Sequence, residues 1–190
     1  MSRFFWVRHG PTHANAMVGW TDLPADLSDR ALLSRLSDHL PHDALVVSSD
    51  LIRARDTASA IMGARQRLPD DPRLREINFG AWEMANFDTA PQPDRLRAFW
   101  ETPGDLAAPE GESWNMASAR VTEAADALLA AHPGRDIIAV AHMGAILTQV
   151  QIAMEITAYQ AFGHRIDNLS VTLLEHDGAR WHAGGINHLP

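Results

Sequence analysis

The chain contains no cysteine. Disulfides and thiolate metal sites are therefore excluded, and the composition suits a reducing cytoplasm, which is the expected location. No apolar run approaches the roughly 20 residues that a membrane-spanning helix needs. A secretory signal is not expected either: Arg3 is followed by a short apolar run that leads straight into Arg8, with no small-residue cleavage site. Basic residues do not predominate, with 16 Lys and Arg against 24 Asp and Glu and a net charge of −8. Such a chain lacks the basic face of a nucleic-acid binder, and its overall field slows an approaching anion. Internal repeats and low-complexity tracts are missing. Histidines 13, 39, 42, 132, 164, 176, 182 and 188 show no metal-ligand spacing of the H-E-x-x-H kind, so they read as solvent-facing or structural, with His13 the one candidate for a pocket rim.

What the chain does have is a set of strand-like runs that end in polar or basic groups. Phe4-Phe5-Trp6-Val7 stops at Arg8-His9-Gly10-Pro11-Thr12. Ala44-Leu45-Val46-Val47 stops at Ser48-Ser49-Asp50, with Arg53 and Arg55 just beyond. Ile137-Ile138-Ala139-Val140-Ala141 stops at His142-Met143-Gly144. Ligands of open α/β sheets bind outside the carboxyl ends of the strands, so these runs deliver Arg8, His9, Arg53 and His142 to one edge. Arg55 reads as structural or solvated.

Between the strands, Ser28 is the expected N-cap of a helix near 29–40 with Leu32, Leu33, Leu36 and Leu40 as its apolar stripe. Further helices are expected near 50–63, 113–131 and 144–155, and residues 73–79 read as extended. Two last strands, 169–175 and 180–185, are joined by a turn at Asp177-Gly178. The alternation predicts one α/β domain over 1–190 with a mostly parallel sheet. The segment from about 84 to 113 carries four prolines (Pro91, Pro93, Pro103 and Pro109) and one short helix near 94–101, and it reads as a cap-like excursion between core elements. Trp20, Trp82, Trp100 and Trp114 read first as core residues, although Trp100 and Trp114 flank that excursion.

Two guanidiniums and two imidazoles at one edge, facing a helix N terminus after His142, suit a phosphoryl group. A histidine can attack phosphorus and form a covalent phospho-enzyme. The leaving alkoxide then needs a proton, and Glu76 and Glu83 are the carboxyl candidates.

The motifs also resemble those of the histidine phosphatase superfamily, the phosphoglycerate mutase-like proteins. Arg8-His9-Gly10-Pro11-Thr12 with Asn15 is similar to R-H-G-x-T-x-x-N. Ser48 to Ala58 is similar to S-S-x-L-x-R-A-x-x-T-A, and Leu74 to Glu83 to L-x-E-x-x-F-G-x-W-E. Gly19-Trp20-Thr21-Asp22-Leu23-Pro24, Gly111-Glu112-Ser113 and His142-x-Gly144 fall in the same order. The resemblance implies a three-layer sandwich with a mostly parallel central sheet. It implies His9 as the catalytic nucleophile, Arg8, Arg53 and His142 as the phosphoryl clamp, Asn15 as a further substrate-binding residue, and Glu76, not Glu83, as the proton donor. No cofactor or metal is implied, because arginines stand where other phosphatases use a cation, and the partner is a small phosphorylated substrate.

Three departures stand out. Asp50 occupies a position where the family commonly has proline; it either opposes phosphate or caps the following helix. Met143 replaces a frequent glycine and either narrows the pocket or packs. Leu27 to Ala31 lacks the glycine of the usual helix start. The expected activity is hydrolysis of a small phosphomonoester. A phosphoglycerate mutase is the alternative, and a non-catalytic phosphate-binding protein is disfavoured because every catalytic position is filled. Candidate substrates are a sugar phosphate, phosphoserine, a nucleotide-loop intermediate of cobalamin synthesis and a phosphoglycerate. Hydrolysis is expected over transfer because the excursion is only about 30 residues and the chain stops at Pro190, just after its last predicted strand. Nothing in the sequence sets an oligomeric state.

Overall fold

A computed structural model describes all of residues 1–190. Five strands form one sheet in the order β2-β3-β1-β4-β5, where β1 is Ser2–Arg8, β2 Leu45–Ser48, β3 Ile137–Ala141, β4 Val171–His176 and β5 Trp181–His188. Strands β2, β3 and β1 are parallel. Strand β4 runs antiparallel to β1, and β5 antiparallel to β4. The sheet is thus mixed: its parallel half arises from helical crossovers, while a tight turn like Asp177-Gly178 can only reverse the chain.

Alternation along the strands separates two cores. Phe4, Trp6, Ile137, Ala139, Ala141 and Leu174 face one side, where helices α4 (Trp114–Ala131) and α5 (Met143–Met154) cover them. Phe5, Val7, Ile138, Val140 and Val46 face the other, against α1 (Arg30–His39) and α2 (Ile52–Ile61). A strand buried on both faces reads as an unbroken apolar run, which is why Phe4–Val7 and Ile137–Ala141 show no polar positions.

Several boundaries differ from expectation. Asp29, not Ser28, caps α1: its carboxylate accepts the Leu32 N–H at 2.9 Å. Ser and Asp cap equally well, so adjacent candidates cannot be separated by residue type. Of residues 73–79, expected to be extended, Arg73 and Leu74 belong to the 3₁₀ turn Pro72–Leu74, while 75–79 run without regular structure to a second 3₁₀ turn, Gly80–Trp82. A short helix α6, Ala158–Ala161, was not anticipated although Thr157 and Gln160 form a reciprocal capping box.

The segment 84–113 carries α3 (Pro93–Glu101), which opens on a proline in its first turn. Its buried face is aromatic: Phe99 lies edge-on to Trp82 at 5.4 Å, and Trp100 lies 5.9 Å from Phe79. Gly80 has φ +51°, and a Cβ there would come within 2.0 Å of the Pro109 carbonyl. That backbone crossing seats the end of the excursion against residues 78–81, with the Ala81 N–H donating to Pro109.

Candidate active site

Strands β1, β2 and β3 end side by side, and the groups that follow them converge. His9 is buried just past β1. Its Nδ1 lies 2.7 Å from the Gly10 carbonyl oxygen. A carbonyl only accepts, so Nδ1 carries the proton and the neutral ring presents its lone pair at Nε2. Burial, then the neighbouring Arg53 charge, drives the His9 pKa down to about 3; the Gly10 bond opposes this and Arg8 adds to it. The ring is therefore neutral at any ordinary pH.

His142 is fully buried at the start of α5, its ring 5.0 Å from that of His9. Arg53 Nε donates to His142 Nδ1 at 3.2 Å. That bond leaves the His142 proton on Nε2, which is buried and has no partner. Burial, with His9 and the arginines in lesser roles, holds His142 well below the usual imidazole range. Arg53 itself is only 1% exposed and is aimed by two further bonds, to the Thr21 and Gly19 carbonyls at 2.9 and 2.6 Å. Arg8 donates one bond, to the Ile166 carbonyl at 2.6 Å, and its Nε is buried and free. Burial lowers the pKa of both arginines, yet their starting value is so high that both remain charged.

Glu76 reaches the same place from the loop before the Gly80 turn. One oxygen accepts from the Ile77 and Ala145 N–H groups at 2.9 and 3.2 Å, and the other from the Gly144 N–H at 3.0 Å. The carboxyl group thus sits on the N terminus of α5, where backbone donors point outward. Only glycine permits this, since a Cβ on residue 144 would lie 2.4 Å from the Glu76 oxygen.

Arg8, His9, Arg53 and Glu76 line one cavity of about 220 Å³. That is below the usual span of ligand clefts, about 300–1,000 Å³, and suits a small guest. Thr12, the 14–18 loop, Phe79, Trp100 and Met143 complete the wall. Within that loop Asn15 is the exception: its side chain is exposed and does not line the cavity, while Ala14 and Ala16 on either side of it do. Neighbours along an open loop point opposite ways, so Asn15 stands outside the lining that its two neighbours form. Met143 both lines the cavity and packs on the core.

Asp50 does neither of the two things expected of it. It forms a two-pronged pair with Arg75, at 2.7 and 2.5 Å, which holds its carboxyl below the usual range. Asp22 instead accepts the Ile52 N–H at the start of α2. Arg75 in turn stacks 4.8 Å over the Trp20 ring.

Glu83 is absent from the cavity lining. It accepts from the backbone N–H groups of Gly19, Trp20, Thr21 and Phe79 and from the Thr21 hydroxyl. Its role is to fix the loop whose carbonyls aim Arg53. Three supporting residues had escaped sequence reasoning. Thr57 accepts the Gly10 N–H and donates to the Arg53 carbonyl; its position four residues after Arg53 on one helix face was the available signal. Asn168 donates to the His9 carbonyl at 2.8 Å across 159 positions of sequence, and no local signal marks it. Arg120 pairs with Glu112 and donates to the Arg73, Arg75 and Glu76 carbonyls, while Trp20 Nε1 donates to the same Glu76 carbonyl. Glu112, in turn, accepts the Asn78 N–H. No three His, Cys, Asp or Glu side chains converge as a metal ion would require.

A buried histidine between two arginines, at the carboxyl edge of a parallel half-sheet, defines a phosphoryl-handling protein. The chain belongs to the histidine phosphatase superfamily, branch 1, whose family description matches residues 4–188. It is similar to Bacillus stearothermophilus YhfR, with 28% identity and a TM-score of 0.87, over 97% of this chain and 96% of that one. A structure of mycobacterial glucosyl-3-phosphoglycerate phosphatase Rv2419c complexed with VO3 has 28% identity and a TM-score of 0.82, over 97% and 98% of the two chains. Among curated sequences, the probable phosphoglycerate mutase GpmB of Serratia proteamaculans (strain 568) is 28% identical over 97% of this chain and 90% of its own length. No helix of this chain is long and apolar enough to cross a membrane.

Proposed function

We propose that the protein is a metal-independent phosphomonoesterase that works through a phosphohistidine. The observation that carries this reading is the proton arrangement of the two imidazoles. His9 Nδ1–H is committed to Gly10, so Nε2 is the free nucleophile. His142 Nδ1 accepts from Arg53, so its Nε2–H is an unused donor. The remaining guanidinium N–H groups of Arg8 and Arg53 and the His142 N–H then serve the phosphoryl oxygens, where charge builds in the transition state.

His9 Nε2 attacks phosphorus, the P–N bond forms and the P–O bond to the alcohol breaks. Its electron pair leaves on the alkoxide, which takes a proton from Glu76. Glu76 Oε2, with one backbone partner against two for Oε1, is the oxygen with room to hold that proton. Water then attacks phosphorus and gives its proton to Glu76 as the P–N bond breaks.

His9→Ala is expected to abolish turnover of p-nitrophenyl phosphate in a folded protein. Acid-labile, base-stable label should be trapped on wild type and lost in the variant. A folded variant with near wild-type rate overturns the reading. Hydrolysis is separated from mutase action by supplying 3-phosphoglycerate, with and without trace 2,3-bisphosphoglycerate. Free phosphate is the expected product, and rapid 2-phosphoglycerate with little phosphate would reassign the activity.

A further inference from the structure

The cavity lining is of two chemical kinds. All its charged groups, Arg8, Arg53 and Glu76, belong to the phosphoryl machinery. The rest of the wall is Ala14 with the 16–18 stretch of the loop, Phe79, Trp100 and Met143, plus the Thr12 hydroxyl. No cation stands there to meet a second acidic group on the substrate. Arg97 is the cation of helix α3 nearest in sequence to Trp100, but it lines a separate outer cavity with Asp88 and Glu101, and Trp100 is the wall between the two. His13 is exposed, stands outside the lining and is taken up by Asp26 at 2.8 Å. A carboxylate carried against this part of the wall would lose its water and meet no countercharge, only the Thr12 hydroxyl as a neutral donor on the lining, which is costly. The net charge of −8 works in the same direction, penalising each added negative charge on an approaching ester. Trp100 offers a flat apolar face there, and its buried indole N–H has no acceptor in the protein.

We infer that the physiological substrate is a phosphomonoester of an uncharged, apolar or aromatic alcohol, and that carboxylated phosphoesters such as phosphoglycerates and phosphoserine are discriminated against. The inference rests on the phosphatase reading above and narrows it to one substrate class.

The test compares 2-phenylethyl phosphate with O-phosphoserine and 3-phosphoglycerate. All three release primary alkoxides, so differences in kcat/KM report the alcohol's fit rather than leaving-group chemistry. The expected result is at least about a tenfold advantage for 2-phenylethyl phosphate, because one misfitting polar group typically costs an order of magnitude or more. Placing a cation in the half-buried loop wall, Val18→Arg, should shift the ratio at least about fivefold toward 3-phosphoglycerate, and Trp100→Ala should shift it the same way by removing the apolar face. A carboxylated ester used as well as or better than 2-phenylethyl phosphate overturns this inference while leaving the phosphatase reading intact. If p-nitrophenyl phosphate itself is not hydrolysed, the phosphatase reading falls and takes the inference with it.

Discussion

His9 illustrates how a single ring is prepared by its surroundings. Burial strips water from the imidazole and two arginines oppose its protonation, so it is folded neutral with a pKa near 3. In the unfolded chain the same ring titrates near its ordinary value of about 6.5. The unfolded state therefore binds more protons than the native one between those two values, and stability rises with pH across that window. Acidifying from about pH 6.5 to about pH 5 should cost up to roughly 1.4 kcal/mol per pH unit from His9, and His142, which burial also holds below the usual imidazole range, should add to the slope. Thermal melts across that range should show the slope, and His9→Gln should flatten it; an unchanged slope would mean that His9 is protonated in the folded protein. Glu76 makes a second residue-scale prediction. Glu76→Gln keeps one acceptor oxygen for the backbone N–H groups, turns an NH2 toward the remaining one and removes the acidic proton, so alkyl phosphates should slow by about 10²–10⁴-fold. The p-nitrophenyl ester, whose leaving group needs little protonation, should suffer far less. Equal losses would assign Glu76 to structure alone.

At the scale of elements, the site depends on loops nailed down by carboxylates outside the cavity. Glu83 gathers five donors from two turns and so determines where the Gly19 and Thr21 carbonyls hold Arg53. Glu83→Ala leaves those donors unpaired and frees the guanidinium. Phosphate and vanadate inhibition should weaken by about tenfold, the scale of losing one charge-assisted contact, while far-UV dichroism stays native; undiminished inhibition would remove Glu83 from this role. The same ties explain which parts of the site were legible. Arg8, His9, Arg53 and His142 could be read because each follows a buried run, and strand ends are visible in hydropathy. Asn15 falls outside the cavity lining for a reason the sequence does not carry: loop side-chain direction follows from φ and ψ, and the left-handed His13 two residues before it (φ +56°) has no signature in residue type. Asp50 was misread because its partner, Arg75, is 25 positions away. Asn168 and Arg120 were beyond reach for the same reason.

Across the whole molecule, charge is divided between a screened exterior and an unscreened interior. The excess of acids belongs to the surface, whereas Arg53 is buried and Arg8 largely so. Salt shortens the Debye length from about 30 Å near 0.01 M to about 8 Å near 0.15 M. It should mute the exterior repulsion and spare the buried pair, so kcat/KM for p-nitrophenyl phosphate should rise modestly, up to about threefold, over that range in NaCl. A fall would show that the site's own field reaches the solvent and dominates. The α/β class and the two-sided burial of the strands were evident in the chain, but sheet order was not, since hydropathy says which strands are central and nothing about their neighbours. That order has a temporal consequence. Strand β1 is made first, yet it lies between β3 and β4, residues 137–141 and 171–176. At about 5–20 residues per second, a ribosome leaves Phe4-Phe5-Trp6-Val7 without either partner strand for several seconds at least. His9, the proposed nucleophile, follows directly on that strand, and Asn168 grips it only after 159 further residues have been added. The proposed site is thus completed late in synthesis, and during the wait an aromatic strand is available to any chaperone or neighbouring nascent chain.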